Sequence, residues 1–201
     1  MVVILKYSYR LAGLTLKTEM ENIQFYQTRL NLKKYGSELS LEFNKTIQLV
    51  ISKESSLADQ FCSSRQIAGH IYSVNQYLIK KIEKLFLLLN EGFVNQEAEY
   101  FESDLTLVET MLHVSDFKIK SSEEFQVPVY FSLEELELKL AGQLKKLISL
   151  TNHVPSVFAN NFKTEIKIMS GIKLDIYEII FFAMKHSYHH LSQIYKLIQI
   201  N

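Results

Sequence analysis

The stretch "KHSYHHLSQIYKLI", residues 185–198, places His186, His189 and His190 within five positions. An α-helix turns about 100° per residue, so residues four apart lie roughly 40° apart around the axis and about 6 Å along it. His186 and His190 therefore share a face, whereas His189 falls with Lys185 and Lys196 on a face for water. The stripe Ile179, Ala183, His186, His190, Ile194, Leu197 carries both imidazoles into the seam that an amphipathic helix buries. An unsatisfied buried polar group costs about 1–3 kcal/mol, and two arrangements remove that cost. The rings either hydrogen-bond to backbone or water, or share a divalent cation, which imidazole nitrogens approach at about 2.0–2.1 Å.

His70, beside Ile67 and Ile71 on the apolar face of an earlier periodic segment, is the candidate third ligand. Three neutral nitrogens with one position left for water or substrate make an open, catalytic type of centre, because inert structural sites are usually closed by four protein ligands. The competing reading of His70 is an ordinary core histidine. Tyr72, Asn75 and Gln193 are candidates to line such a site or orient its ligands, although the same residue types also serve at helix edges. Cys62, near a helix start, is a nucleophile or a packing residue. His113 and His153 lie in or beside loops and read as surface residues. Glu97, Glu99, Glu102 and Asp104 read as a solvated face, since their offsets set no two carboxylates against the histidine pair. No residue is assigned a catalytic role beyond these.

Four segments must position the histidines, and each shows a helical repeat of apolar residues. The first covers residues 37–52, with Leu39, Phe43, Ile47 and Val50 on one face. Residues 19–35, with Met20, Ile23, Tyr26 and Leu30, form either a separate helix or a continuation across Gly36. The second runs from about Ser63 to Asn90 through Ile67, Ile71, Val74, Leu78, Ile82, Leu85 and Leu89, with Ser63 and Gln66 spaced as a capping box. The third opens with a second such pair, Ser132 and Glu135, follows Leu136, Leu140, Leu144, Leu147 and Ile148, and stops before Pro155. The fourth starts near Asp175, with Glu178 in its third position. Residues 91–131 are weakly periodic, and their "FKIKSSEEFQVPVYF" suits an extended crossover; connections so long are often functional. The expectation is an all-α fold: one domain over residues 1–201, a four-helix bundle with a long crossover between its second and third helices and an N-terminal extension over 1–36.

Composition agrees. Only 2 prolines and 6 glycines interrupt 201 residues, which favours long helices over frequent turns. The 22 basic and 22 acidic side chains cancel, so no global field draws a polyanion, and neither nucleic acid nor a membrane surface is an expected partner. Lys6 and Arg10 interrupt the apolar start before it reaches the length of a signal sequence, and "IYEIIFFAM" is about half a membrane span. The single cysteine, Cys62, excludes an internal disulfide and suits the cytoplasm. Aromatic content of 12% suits an apolar pocket or a homodimer interface.

Two of these stretches resemble a known family. "RQIAGHIYSVNQYL" looks like the second helix of the DinB/YfiT-like superfamily, in which a histidine follows a small residue shortly after the helix start. "HSYHHLSQI" resembles that superfamily's last-helix signature, His-x-x-x-His with a Gln three residues on, and His189 takes the slot that often holds a basic residue. The resemblance runs over about residues 37–200. It implies a four-helix bundle with His70, His186 and His190 around nickel, zinc or a similar divalent ion. It also implies a transferase that activates a low-molecular-weight thiol toward an electrophilic substrate, or a related hydrolase using water. Where the family often has Trp ahead of the second-helix histidine, this chain has none, and Phe61 stands nearest. The contrasting class is a helical bundle that binds a ligand or a second copy of itself, with a structural or vestigial metal site and no catalysis.

Overall fold

In the computed structural model, apolar periodicity becomes helix in all four segments. The structure describes residues 2–53, 58–90, 103–113, 125, 131–154, 163–169 and 171–199. Five helices stand among them: α1 (Val2–Ser52), α2 (Ala58–Asn90), α3 (Leu105–His113), α4 (Leu133–His153) and α5 (Ile176–Gln199). The only strands described, β1 (Thr164–Glu165) and β2 (Lys173–Leu174), pair antiparallel around a 3₁₀ turn at Lys167–Met169, and Gly171 closes the turn at φ 84°, where a side chain would be strained. The all-α expectation holds apart from this small hairpin. None of the described helices is long and apolar enough to cross a membrane.

The helix ends show why the chain breaks where it does. Ser132 Oγ accepts from the Glu135 amide at 3.2 Å while Glu135 Oε2 accepts from the Ser132 amide at 2.8 Å, so the expected capping box opens α4. A second reciprocal box opens α5, with Asp175 Oδ1 taking the Glu178 amide and Glu178 Oε2 taking the Asp175 amide, both at 2.8 Å. The Ser63 expectation is corrected. Helix α2 already runs from Ala58, so Ser63 lies inside it, and the four-residue S-x-x-Q pattern matched without marking an end. A second correction concerns residues 91–131, where α3 interrupts the expected crossover. Of "FKIKSSEEFQVPVYF" only Phe125 and Phe131 lie within the described residues, and Glu97, Glu99 and Glu102 lie outside them.

Gly36 does not end a helix; α1 passes straight through it. A Cβ there would stand 2.7 Å from Ile148 Cγ1 and 2.9 Å from Met184 Cε, so the missing side chain is what lets α4 and α5 approach α1. The seam Leu39, Phe43, Ile47, Val50 is buried as expected, but Tyr26 and Leu30 are exposed, and the apolar repeat of residues 19–35 does not extend the core to them.

Helix α1 packs chiefly on α4 and α5, and α2 on the same two, so the four long helices close a ring. Ile71, Val74, Leu78 and Ile82 of α2, Leu136, Leu140, Leu144 and Leu147 of α4, and Ile179, Ile180, Ala183 and Ile194 of α5 fill it, all almost wholly buried. Burial of each Leu, Ile or Val contributes about 1.5–3 kcal/mol, and this core is the rigid frame in which α2 and α5 present their histidines. Helix α3 lies on α5, held by the Lys185–Glu109 ion pair at 2.6 Å and by the Asp104 amide, which donates to Glu178 Oε1 at 2.7 Å.

Candidate metal centre

Helix α2 brings His70, and α5 brings His186 and His190, to one point where the two helices pack. Each ring offers a nitrogen, and the three nitrogens all lie within 4.8 Å of one another. Ring centroids stand 5.2 Å apart for His70 and His186, 4.8 Å for His70 and His190, and 4.4 Å for His186 and His190. The helical phase places His186 at 1% exposure, His70 and His190 half-buried, and His189 in solvent, as the spacing requires.

Second partners fix two of the rings. His190 Nδ1 lies 2.8 Å from Gln193 Oε1; with the proton on Nδ1 donated to that oxygen, Nε2 keeps its lone pair. That Nε2 points at His186 Nε2, 3.1 Å away. His70 is hydrogen-bonded to the backbone of Phe125, whose ring meets that of Tyr77, further along α2, edge-on at 5.4 Å. His186 stacks on Phe182 with centroids 5.8 Å apart, and its Nδ1 is buried with no hydrogen-bond partner among the described residues. One residue on, Ser187 Oγ accepts from Asn75 Nδ2 at 3.0 Å and donates to the Ala183 carbonyl at 2.8 Å, pinning α5 to α2 beside the cluster.

Burial, the largest cause in each case, holds all three imidazoles neutral at pH 7. It lowers His70, drives His186 well below its ordinary value with help from His190 and His70, and takes His190 down to about 4. Neutral imidazoles keep the lone pairs that a metal requires.

The donor set fits a divalent ion. Two nitrogens each about 2.0–2.1 Å from a tetrahedral centre stand roughly 3.3 Å apart, close to the 3.1 Å between the two Nε2 atoms. The two facing Nε2 atoms can share at most one proton, whereas an ion between them would take a lone pair from each. No carboxylate joins the cluster among the described residues.

The other sequence candidates fall in different places. Asn75 is buried on Ser187, and Gln193 touches His190. Tyr72 turns toward α4: its ring meets Phe131 at 5.6 Å, Lys139 Nζ lies 5.8 Å from that ring, and its carbonyl accepts from Gln143. Cys62 is exposed, and Phe61 lies outside the described side chains. His153 is a surface residue whose Nδ1 meets the Ser149 carbonyl at 2.8 Å, while the His113 side chain lies outside those described. Asp104 is exposed and starts α3, its Oδ1 accepting from Thr106 and from the Leu107 amide. Sequence reasoning missed Phe125, Phe182 and Ser187. Phe182 sits four residues before His186, a spacing that announces the stacking, but nothing in the sequence brings Phe125 to His70.

Two described cavities, of about 370 and 450 Å³, lie along α1 and α5 and are lined by Tyr35, Phe181 and Lys185 or by Leu41, Glu42 and Tyr195; neither opens on the histidines. No protein-family model, curated protein or solved structure matches this chain.

Proposed function

We propose that the chain is a DinB-like four-helix-bundle protein that holds one divalent ion, nickel or zinc, on His70, His186 and His190, and that it transfers a low-molecular-weight thiol to an electrophile. The observation that carries this reading is the convergence of three imidazole nitrogens, from two helices, within 4.8 Å of one another. Bound there, a divalent ion would lower the pKa of a thiol or water at its remaining position, and three neutral donors leave its charge undiminished for that task.

The chain's own residues supply the rest. Gln193 Oε1 holds the proton on His190 Nδ1, which keeps Nε2 free. Phe182 and the Asn75–Ser187 bond hold the His186 backbone and ring in place from two sides. The apolar neighbours of His186 exclude water from one side of the centre, so electrostatic effects there are stronger than in solvent. The ring of packed helices and the order of the histidine-bearing segments support the DinB likeness, as does the pair of short motifs that suggested it.

Elemental analysis of tag-free protein is expected to give about one metal per chain, with uptake abolished in His70→Ala and His186→Ala. A chain that carries no metal and binds none when titrated in the metal-free form refutes the proposal. Metal-loaded protein mixed with small thiols and electrophiles is expected to form conjugates, and His190→Ala to form none. Metal binding without turnover over a broad panel moves the assignment to the non-catalytic bundle.

A further inference from the structure

The cavity of about 370 Å³ that α1, α3 and α5 enclose lies apart from the histidines and has an apolar wall and a charged corner. Leu105 and the almost wholly buried Leu32 and Phe181 form the wall. At the corner Lys185 Nζ meets Glu109 Oε1 at 2.6 Å and stands 4.9 and 5.3 Å from the ring centroids of Tyr35 and Phe181. The Tyr35 hydroxyl, on the same lining, is buried with no hydrogen-bond partner among the described residues. Burial, reinforced by Tyr188 and Glu109, holds that phenol far above its ordinary pKa, so it keeps a proton to donate. Lys34 and Glu38 add one more charge of each sign to the lining. An apolar cavity with a few convergent polar groups, at a volume above about 300 Å³, has the makings of a small-molecule site.

The charges decide which ligand fits. An anion that takes Lys185 leaves Glu109 without its partner, and a cation that takes Glu109 leaves Lys185 without its own. A ligand carrying both signs opens the pair and strands neither. Opening costs little, because the two side chains are 25% and 46% exposed and an ion pair in contact with solvent is weak. We propose that this cavity binds a free α-amino acid with a large apolar side chain, its carboxylate and ammonium inserting between Lys185 and Glu109. The carboxylate accepts from Lys185 Nζ and from the unpartnered Tyr35 hydroxyl, the ammonium donates to Glu109, and the side chain packs on Phe181, Leu32 and Leu105. This site is independent of the proposed metal centre and stands whether or not an ion binds there.

The test is calorimetric titration of the full chain at pH 7.5 with four probes: L-phenylalanine, N-acetyl-L-phenylalanine, which keeps only the negative charge, L-phenylalaninamide, which keeps only the positive one, and L-alanine, which lacks the ring. L-Phenylalanine is expected to bind saturably at one site per chain, and each of the other three about 10-fold more weakly or worse, the scale of one lost charged hydrogen bond or of the apolar contact. Glu109→Gln removes the partner of the ammonium and frees Lys185, so it should weaken L-phenylalanine and strengthen N-acetyl-L-phenylalanine until their order inverts. Lys185→Met should do the reverse, weakening L-phenylalanine and strengthening L-phenylalaninamide. Tyr35→Phe should cost both carboxylate ligands several-fold and leave L-phenylalaninamide unchanged. These opposed responses cannot come from misfolding, which weakens every probe alike. The inference is overturned if L-phenylalanine shows no saturable binding, if either singly charged probe binds the wild type as tightly, or if the three substitutions leave the order of the probes unchanged.

Discussion

Helix α5 carries two buried polar clusters, an acidic one at its start and the histidines in its middle, and they solve burial in opposite ways. Glu178 has no exposed surface, yet its carboxylate accepts from the Asp175 and Asp104 amides at 2.8 and 2.7 Å and faces Lys163 Nζ at 3.4 Å. Asp175 caps the same turn. These contacts join α5 to the segment before it and to the start of α3; three of the four carboxylate oxygens accept from backbone amides, and Asp175 Oδ2 is buried without a hydrogen-bond partner among the described residues. At the histidines the chain supplies outer partners, Gln193 and the Phe125 backbone, while the inner nitrogens face one another and His186 Nδ1 has none among the described residues. A buried cluster closed mainly by backbone amides belongs to the scaffold, whereas one that turns ring nitrogens toward a common point could hold an ion there.

The largest expected effect follows from the acidic cluster. Glu178→Ala removes an acceptor from two backbone amides and a counter-charge from Lys163, all at a buried position, and is expected to lower unfolding free energy by about 3–5 kcal/mol. Chemical denaturation of the metal-free protein measures it. A loss under about 1 kcal/mol would mean that the acids are not scaffold, and the contrast between the clusters would fail.

Next in size is the response to pH, in which the two clusters have opposite signs. Burial, reinforced by Glu178, raises the Asp175 carboxyl from 3.8 to about 7. A raised folded pKa means that the native state holds a proton the unfolded state has lost. The stability it contributes is full below about 4 and declines, by at most about 1.4 kcal/mol per pH unit, until pH passes about 7. The histidines are lowered from 6.5, His190 to about 4, so the contribution of each is present above pH 6.5 and is lost as pH falls toward its folded value. Relative to Asp175→Asn, wild type should therefore lose stability as pH rises from 4 to 7. Relative to His190→Gln, it should gain stability over the same range. Parallel curves for wild type and both variants would show that neither cluster titrates as its burial demands.

Sequence reasoning reached the histidines because their information is local. A four-residue spacing fixes a shared face whatever the fold, and the apolar stripe through Ile179, Ala183 and Ile194 says which way that face points. The Ser132 and Asp175 ends were legible for the same reason, because a cap is written within four residues. Gly36 was ambiguous because its meaning lies across space, in Ile148 and Met184, and not in its neighbours along the chain. Phe125 was invisible because its backbone reaches His70 from more than fifty positions away, through a region without strong periodicity. The Ser63 pattern misled because α2 already begins at Ala58, so the four-residue spacing falls inside a helix and marks no end.

The smallest effect gives the sharpest discrimination. His186→Leu replaces a wholly buried imidazole with an apolar side chain of similar size beside Phe182. In the metal-free protein it forfeits one contact, Nε2 to His190, a bond worth about 0.5–1.5 kcal/mol. It also relieves a buried nitrogen that has no partner, which costs about 1–3 kcal/mol. The variant should therefore match wild type or exceed it by about 1 kcal/mol. Added zinc should reverse the order, because a ligand at a hundredfold excess over its Kd stabilises the native state by about 2.7 kcal/mol and the variant has lost a donor. Thermal denaturation with and without zinc reads both halves of that inversion. If His186→Leu instead destabilises the metal-free protein by about 2 kcal/mol or more, the histidines satisfy one another, and both clusters of α5 are scaffold.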